Sequence, residues 1–219
     1  LRVLIASRDH ISTERTAAIN ALIALLRVVD LGVDARSTLN GGQIATIAAW
    51  RRRTEELATG IARAEAVRLA KRIRAANDEL SAITHQMTAL IKESPAAGLL
   101  DQPGIGPVTA AIAFAAWSHP GRVRSEAAFA SLAGVNPIPA SSGNTVRHRI
   151  NRGGDRRLNR ALHMAIVTRM RMDPDTRAYI EKRTAEGRTL REIRRSLKRY
   201  LARQIYRHLN AATAATSAA

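Results

Sequence analysis

At 219 residues, of which 46% are apolar, the chain is long enough to bury a core in one or two domains, which excludes a disordered protein. Only 3% of the residues are aromatic and much of the apolar content is alanine, a composition that favours helices over sheets. The net charge of +17 indicates a polyanionic partner, most commonly nucleic acid, and the lack of cysteine excludes disulfides and thiol chemistry.

The positive charge is concentrated in the second half of the chain. Between Arg147 and His208 there are 19 arginines and lysines against 6 acidic residues. No apolar run approaches the roughly 20 residues that span a bilayer, which argues against a membrane protein. Together with the lack of cysteine, this pattern fits a cytoplasmic protein.

The first predicted helix runs from Asp9 to Val33, with Asp9 as its N-cap and Gly32 as its stop. A loop rich in turn-forming residues follows at 34–43. The chain begins "LRVLIASRDH", without Met or the architecture of a signal peptide. We therefore expect residues 1–43 to follow a domain of a longer protein.

Residues 44–94 are predicted to form a long helical region, in which the arginines at 51–53 form a solvated face. Its second half carries a heptad pattern of apolar and small residues, at Ala66, Leu69, Ile73, Ala76, Leu80, Ile83, Met87 and Leu90. The pattern fits a coiled coil or a helical hairpin, through which the protein would form homo-oligomers. It also fits a single amphipathic helix lying on its own domain.

Pro95 breaks this helical region, and a second, compact helical domain is expected over 95–209, followed by a disordered tail at 210–219. The fold class is thus all-α, with a long helical or coiled-coil linker before the compact domain. The stretch "LLDQPGIGPVTAAIAFAAW" (99–117) resembles a helix-hairpin-helix motif. In that interpretation Gly104, Ile105 and Gly106 place backbone N–H groups around a DNA phosphate. In the alternative, the turn only packs neighbouring apolar residues together.

The stretch 139–163 joins Ser141, Ser142 and Gly143 to a run of arginines. A serine hydroxyl becomes a nucleophile when its proton is removed, and guanidinium groups stabilise the charge that develops on a phosphodiester under attack. The segment therefore suits phosphoryl transfer through a phosphoserine. A solvated loop, or a loop that binds phosphate without chemistry, would have the same composition. The arginines expected to contact nucleic acid are Arg147, Arg149, Arg152, Arg156 and Arg157.

The last predicted helix, 189–209, has two faces. An apolar stripe comprises Leu190, Ile193, Leu197, Leu201 and Ile205. The other face carries Arg191, Arg194, Arg195, Lys198 and Arg199, either solvated or in contact with DNA. No His, Asp or Glu residues have metal-ligand spacing, so neither a metal nor another cofactor is expected in this chain.

Five successive blocks between Leu99 and Leu209 carry a resemblance to a known family. The blocks are "PGIGPVTAA", "FASLAGVNPIPASSG", "RHRINRGGDRRLNRALH", "DPDTRAYIEKR" and "LKRYLARQIYRHL". In this order they resemble the C-terminal domain of bacterial insertion-sequence transposases of family one hundred and ten, the DEDD and serine type related to the Piv invertase.

The resemblance implies DNA transposition by strand exchange, with Ser142 as the nucleophile and Ser141 as the neighbouring alternative. It also implies a RuvC-like N-terminal domain whose four acidic residues bind a divalent metal, Mg²⁺. That tetrad is absent from this sequence, so we expect the full-length protein to be the enzyme and this segment alone to be inactive. Some members are guided by a structured RNA from their own element, which makes RNA a second expected partner after DNA. The rival hypothesis is a non-catalytic helical protein that binds DNA or RNA.

Overall fold

The computed structural model describes residues 1–141 and 148–217, and this part of the chain is mostly helical. The helices are α1 (Arg2–Val28), α2 (Gly41–Ala48), α3 (Leu57–Lys92), α4 (Pro107–Trp117), α5 (Glu126–Leu132), α6 (Arg156–Met172), α7 (Pro174–Ala185) and α8 (Leu190–Ser217). A 3-10 turn spans Ala97–Leu99, and the strands β1 (Pro137–Pro139) and β2 (His148–Ile150) form an antiparallel hairpin. The predicted all-α class is confirmed, with this hairpin as an unpredicted addition.

The chain divides into two compact units. One comprises Val3–His85, and the other Gln86–Ala219 together with Leu1–Arg2. The sequence placed a boundary later, at Pro95. The expected division into residues 1–43, 44–94, 95–209 and 210–219 stays a prediction.

Apolar side chains of α1, α2 and α3 form the core of the unit Val3–His85. Leu22, Ile47 and Ile73 are completely buried there, and Ala66 and Leu69 belong to the same cluster. The first half of the heptad stripe therefore packs inside its own unit, as expected for an amphipathic helix on its own domain. Pairing of this helix between chains stays a prediction.

The start of α1 differs from the sequence prediction. The helix begins at Arg2, so Asp9 lies in its interior and is not an N-cap. The Asp9 carbonyl instead accepts a hydrogen bond from the Thr13 hydroxyl at 2.9 Å, the i to i+4 geometry of a continuing helix. Residues 2–8 lack Gly and Pro, so nothing in them stops the helix from extending upstream. The helix ends at Val28, before the left-handed Gly32 (φ +78°).

The helical region predicted over 44–94 is interrupted, because a non-helical segment separates α2 from α3. Arg63 explains the break. Its guanidinium is buried, donates to the Glu55 carboxylate at 2.7 and 3.0 Å, and lies 5.0 Å from the ring centroid of Trp50. These contacts hold residues 50–55 against α3 in a non-helical conformation. Arg63 is 8 positions from Glu55 and 13 from Trp50 in the sequence, so the periodicity of a helix could not predict the contacts between them. The arginines at 51–53 are exposed.

In the second unit, α4 and α6 pack against each other and both pack against α8. The largest buried side chains include Trp117, Phe129, Leu158, Leu162 and Ile166. The predicted stripe of α8 is buried at Ile193, Leu197, Leu201 and Ile205, but Leu190 is exposed. α5 also packs on α8, where Arg203 Nε donates to Glu126 Oε1 at 2.7 Å.

The end of α8 lies further along the chain than expected. The helix continues to Ser217, so residues 210–217 are helical where the sequence indicated a disordered tail. Six of the ten residues in "NAATAATSAA" (210–219) are alanine, which has the highest helix propensity of any residue.

The helix-hairpin-helix expectation is not confirmed. Before the glycine turn the chain forms a 3-10 turn, not a helix that packs beside α4. Gly104 has φ +74°, and a Cβ there would lie 2.5 Å from the carbonyl oxygen of Ala165 in α6. Ile105 is buried, and Arg169 Nε donates to the Pro103 carbonyl at 2.7 Å. The turn is therefore packed tightly on α6, and its contact with nucleic acid stays a prediction.

We expect Gly104→Ala to destabilise the protein by about 1–3 kcal/mol or more, because the added methyl group meets the α6 backbone and the left-handed conformation disfavours a Cβ. Gly106→Ala is the matched control, since nothing lies within 4 Å of its added Cβ. It should cost less than about 1 kcal/mol. Urea denaturation of both variants measures the difference, and equal midpoints would contradict the packing role.

Candidate nucleic-acid interface

A basic cleft of about 1050 Å³ opens in the second unit between the hairpin β1–β2, α6 and the first half of α8. Among the described residues, ten arginines and lysines line it. They are Arg149, Arg152, Arg156, Arg183, Arg188, Arg191, Arg194, Arg195, Lys198 and Arg199. We call this surface the basic cleft.

One carboxylate, that of Glu192, lines the basic cleft within the described part of the chain. Its Oε2 accepts hydrogen bonds from the backbone N–H of Thr189 at 3.0 Å and from the Thr189 hydroxyl at 2.8 Å. These two bonds lower the pKa of Glu192 and fix the carboxylate at the start of α8. The cleft thus carries a large excess of positive charge, which attracts polyanions.

Two glycines hold one wall of the basic cleft together, the wall formed by the hairpin and the start of α6. Gly134 follows α5 with φ +64°, and Gly154 precedes α6. A Cβ on Gly154 would overlap the backbone nitrogen and Cα of Gly134. The contact excludes a side chain at Gly154, and the left-handed φ of Gly134 also favours glycine there.

Hydrogen bonds from asparagine side chains fix the same region. Asn151, just after β2, donates to Asn136 Oδ1 at 2.7 Å and accepts from the Gly153 N–H at 2.9 Å. Asn159 in α6 donates to the carbonyl of Ala133 at 2.7 Å. The hairpin and the start of α6 are therefore tied to the segment that follows α5.

The inner wall lies where α6 packs against α8, and Lys198 and His163 line it. Lys198 Nζ donates to Asn159 Oδ1 at 3.0 Å. Burial lowers the pKa of Lys198, and the charge of Arg195 lowers it further. Burial also lowers the pKa of His163, with added repulsion from Lys198 and Arg194.

The structure places the sequence-predicted residues in three groups. Arg149, Arg152 and Arg156 line the basic cleft. Arg157 is exposed on α6 and is not among the lining residues, and Gly104, Ile105 and Gly106 form the turn before α4, away from the lining. Ser142 and Arg147 lie outside the described residues, in the segment that links β1 to β2, whereas Ser141 is described and exposed.

Sequence reasoning missed Asn159, His163, Arg183 and Arg188 as cleft residues. Asn159 and Lys198 are 39 positions apart, so the contact between them left no local signal. The sequence did indicate the α8 side of the cleft. Its helical periodicity placed four arginines and Lys198 on the polar face of α8, predicted to be solvated or in contact with DNA. Among the helices of residues 1–141 and 148–217, none has both the length and the apolar character to cross a membrane.

We expect Gly154→Ala to destabilise the second unit by about 1–3 kcal/mol or more, because the methyl group forces the Gly134 backbone away. Gly153→Ala is the control, because its added Cβ would meet Asn151 Oδ1 at 3.5 Å, an ordinary contact. Guanidinium denaturation, monitored by tryptophan fluorescence, measures the free energy of unfolding of both variants. If Gly153→Ala is as destabilising as Gly154→Ala, the backbone contact is not what holds the cleft walls.

Comparison with known proteins gives two matches. Residues 96–181 match the model of the transposase family IS116/IS110/IS902. Over 123 residues, 55% of this chain, the sequence is 32% identical to the "Insertion element IS110 uncharacterized 43.6 kDa protein" of Streptomyces coelicolor. The aligned part spans 30% of the length of that relative. The family match covers the hairpin and α6 but stops before α8, so one wall of the basic cleft lies inside the matched segment and the other outside it.

Proposed function

We propose that this chain is the linker and C-terminal part of a transposase of the IS110 type, and that the basic cleft binds DNA during transposition. The observation that carries this proposal is the coincidence of two features. Residues 96–181 match the transposase family, and the same segment contributes Arg149, Arg152 and Arg156 to a cleft lined by ten cations.

The chemistry of the basic cleft suits the sugar-phosphate backbone more than the bases. Arginine and lysine side chains neutralise phosphates, and such contacts position DNA without reading its sequence. Binding of single strands commonly adds aromatic side chains on which bases stack. None of the described residues that line the cleft is Phe, Tyr or Trp. We therefore assign the cleft to duplex backbone.

We further propose that Ser142 is the nucleophile. The support is its place in the chain: the strands on either side contribute Pro137, His148 and Arg149 to the basic cleft. Attack would form a bond between Ser142 Oγ and phosphorus and break the bond from phosphorus to one deoxyribose oxygen, which takes up the hydroxyl proton. Attack by the hydroxyl of a second strand on the phosphoserine would then release the serine and join the strands.

The resemblance to DEDD transposases also implies a divalent metal, held by an acidic domain of the whole protein. Residues 1–141 and 148–217 contain no cluster of three histidine or acidic side chains that could hold such an ion. The described residues therefore do not fit a metal site, and we assign no step of the serine chemistry to one.

We expect the triple variant Arg149→Gln, Arg152→Gln, Arg156→Gln to weaken DNA binding at least about tenfold and to make the salt dependence of log Kd shallower by about three, because three phosphate contacts are lost. The control is Arg51→Gln, Arg52→Gln, Arg53→Gln, which removes the same charge from exposed positions that do not line the cleft. Fluorescence anisotropy measures the Kd of both triple variants and its salt dependence, with labelled duplex DNA and with RNA of the same sequence. An equal loss in the two triple variants would refute the cleft as the DNA site, and binding of RNA alone would favour the rival function.

In a full-length protein, Ser142→Ala should keep DNA binding and lose strand joining, because no oxygen remains to form the phosphodiester intermediate. Ser141→Ala is the matched control and should recombine normally. A plasmid recombination assay measures the joined product. Normal recombination by Ser142→Ala would refute the nucleophile, and loss in Ser141→Ala alone would move the role by one residue.

A further inference from the structure

The inner wall of the basic cleft brings cationic side chains from two helices together. Asn159 and His163 lie one turn apart on α6, and Arg194 and Lys198 lie one turn apart on α8. All four line the cleft. None of the four is fully exposed, in contrast to Arg149, Arg152 and Arg156 at the rim.

Lys198 is held in place by a chain of hydrogen bonds. Asn159 Nδ2 donates to the carbonyls of Ala133 and Gly134, at 2.7 and 3.3 Å, which fixes the orientation of the amide. Asn159 Oδ1 must then face Lys198, and it accepts from Nζ at 3.0 Å. An ammonium group has three donors, so two remain. Among the described residues, Lys198 forms no ion pair with a carboxylate.

The surrounding groups provide no counterion. Arg194 lies on the same wall, and its Nε is buried without a hydrogen-bond partner among the described residues. Burial lowers the pKa of His163, and the positive charges of Lys198 and Arg194 lower it further. Glu192 is occupied by Thr189. Like charges that converge in a half-buried wall are unfavourable unless an anion joins them.

We propose that Lys198, Arg194 and His163 form a subsite for a single phosphate group, within the cleft already proposed to bind DNA. A phosphate accepts several hydrogen bonds at once, from the free ammonium donors, from a guanidinium and from an imidazole N–H. Asn159 acts as a positioning residue, since its amide oxygen orients Lys198 and is not assigned a contact with the phosphate. The rim arginines bind the backbone over a wide area, whereas this subsite fixes one phosphate and thereby sets the register of the duplex.

The subsite couples binding to protonation. The titratable and charged side chains that line the cleft with His163 and Lys198 lie on the chain from the hairpin to the start of α6, and from α7 to the first half of α8. Among the described residues, besides Glu192, they are His148, Arg149, Arg152, Arg156, Arg183, Arg188, Arg191, Arg194, Arg195 and Arg199. A bound phosphate opposes their repulsion, so it raises the pKa of His163 from its depressed value in the free protein. Binding therefore takes up protons and becomes tighter as the pH falls through the range in which His163 titrates.

The first experiment compares Lys198→Met with Lys182→Met in the whole chain. Lys182 is exposed on α7 and is not a lining residue, so the control removes the same charge without touching the subsite. We expect Lys198→Met to weaken binding of labelled duplex DNA roughly ten- to a hundred-fold, as for loss of a charge-assisted hydrogen bond. Lys182→Met should bind as the unmodified protein does.

The result separates this subsite from the cleft as a whole. If Lys198→Met matches Lys182→Met while the rim triple variant loses affinity, the subsite is wrong and the DNA-binding cleft stands. If neither Lys198→Met nor the rim variant loses affinity, the basic cleft is refuted as the DNA-binding site, and the subsite falls with it.

A second measurement needs no change in Lys198 and so does not depend on the folding of that variant. Proton NMR follows the ring signal of His163 with pH, assigned by its loss in His163→Gln. Duplex DNA should raise the pKa of His163, while the control signal of His85, exposed on α3, should not move with it. An unchanged pKa of His163 in saturating DNA would overturn the subsite.

Discussion

The contact between the Gly134 and Gly154 backbones is the constraint on which the basic cleft depends. It brings the chain that leaves α5 against the chain that enters α6, at a distance that no side chain would permit. Asn151 and Asn159 then hydrogen-bond across the same junction, to Asn136 and Ala133. These contacts fix one wall of the cleft, formed by the hairpin and the start of α6, and none of them involves a charged side chain. The arginines act from a rigid frame, which reduces the entropy lost when they bind a ligand.

The charge on this frame has a cost in the free protein. Ten cations line one cleft, and the single carboxylate among its described lining residues caps α8. Such repulsion destabilises the compact state, and a polyanion relieves it. At the inner wall between α6 and α8, burial lowers the pKa values of His163 and Lys198, and neighbouring positive charges lower them further. Rim and wall differ in exposure, and we assign them different tasks: general attraction of the DNA backbone at the rim, and fixation of one phosphate at the wall.

The glycine turn before α4 shows how a sequence signal can have two physical causes. Glycines allow both a close approach of a phosphate and a close approach of another helix. The interpretation of "PGIGP" favoured the first, with a turn that only packs apolar residues as the alternative. The structure shows the second, since Gly104 lies against Ala165 and Arg169 binds the Pro103 carbonyl, and the phosphate contact stays a prediction. The heptad of α3 is similar, because its first half is buried against α1 and α2 within one unit. A local sequence pattern indicates that a surface is apolar or that another group packs closely on it. The pattern does not identify that group.

The sequence by itself determined the helical class, the concentration of positive charge in the second half, the apolar stripe of α8 and the arginines Arg149, Arg152 and Arg156. These follow from composition and from periodicities of a few residues, which neighbouring positions encode together. Only the tertiary structure decided the break at Arg63, the packing of Gly104 and the meeting of Asn159, His163, Arg194 and Lys198. Each of these depends on contacts between positions distant in the chain, and such contacts form only when helices pack, so no local spacing records them.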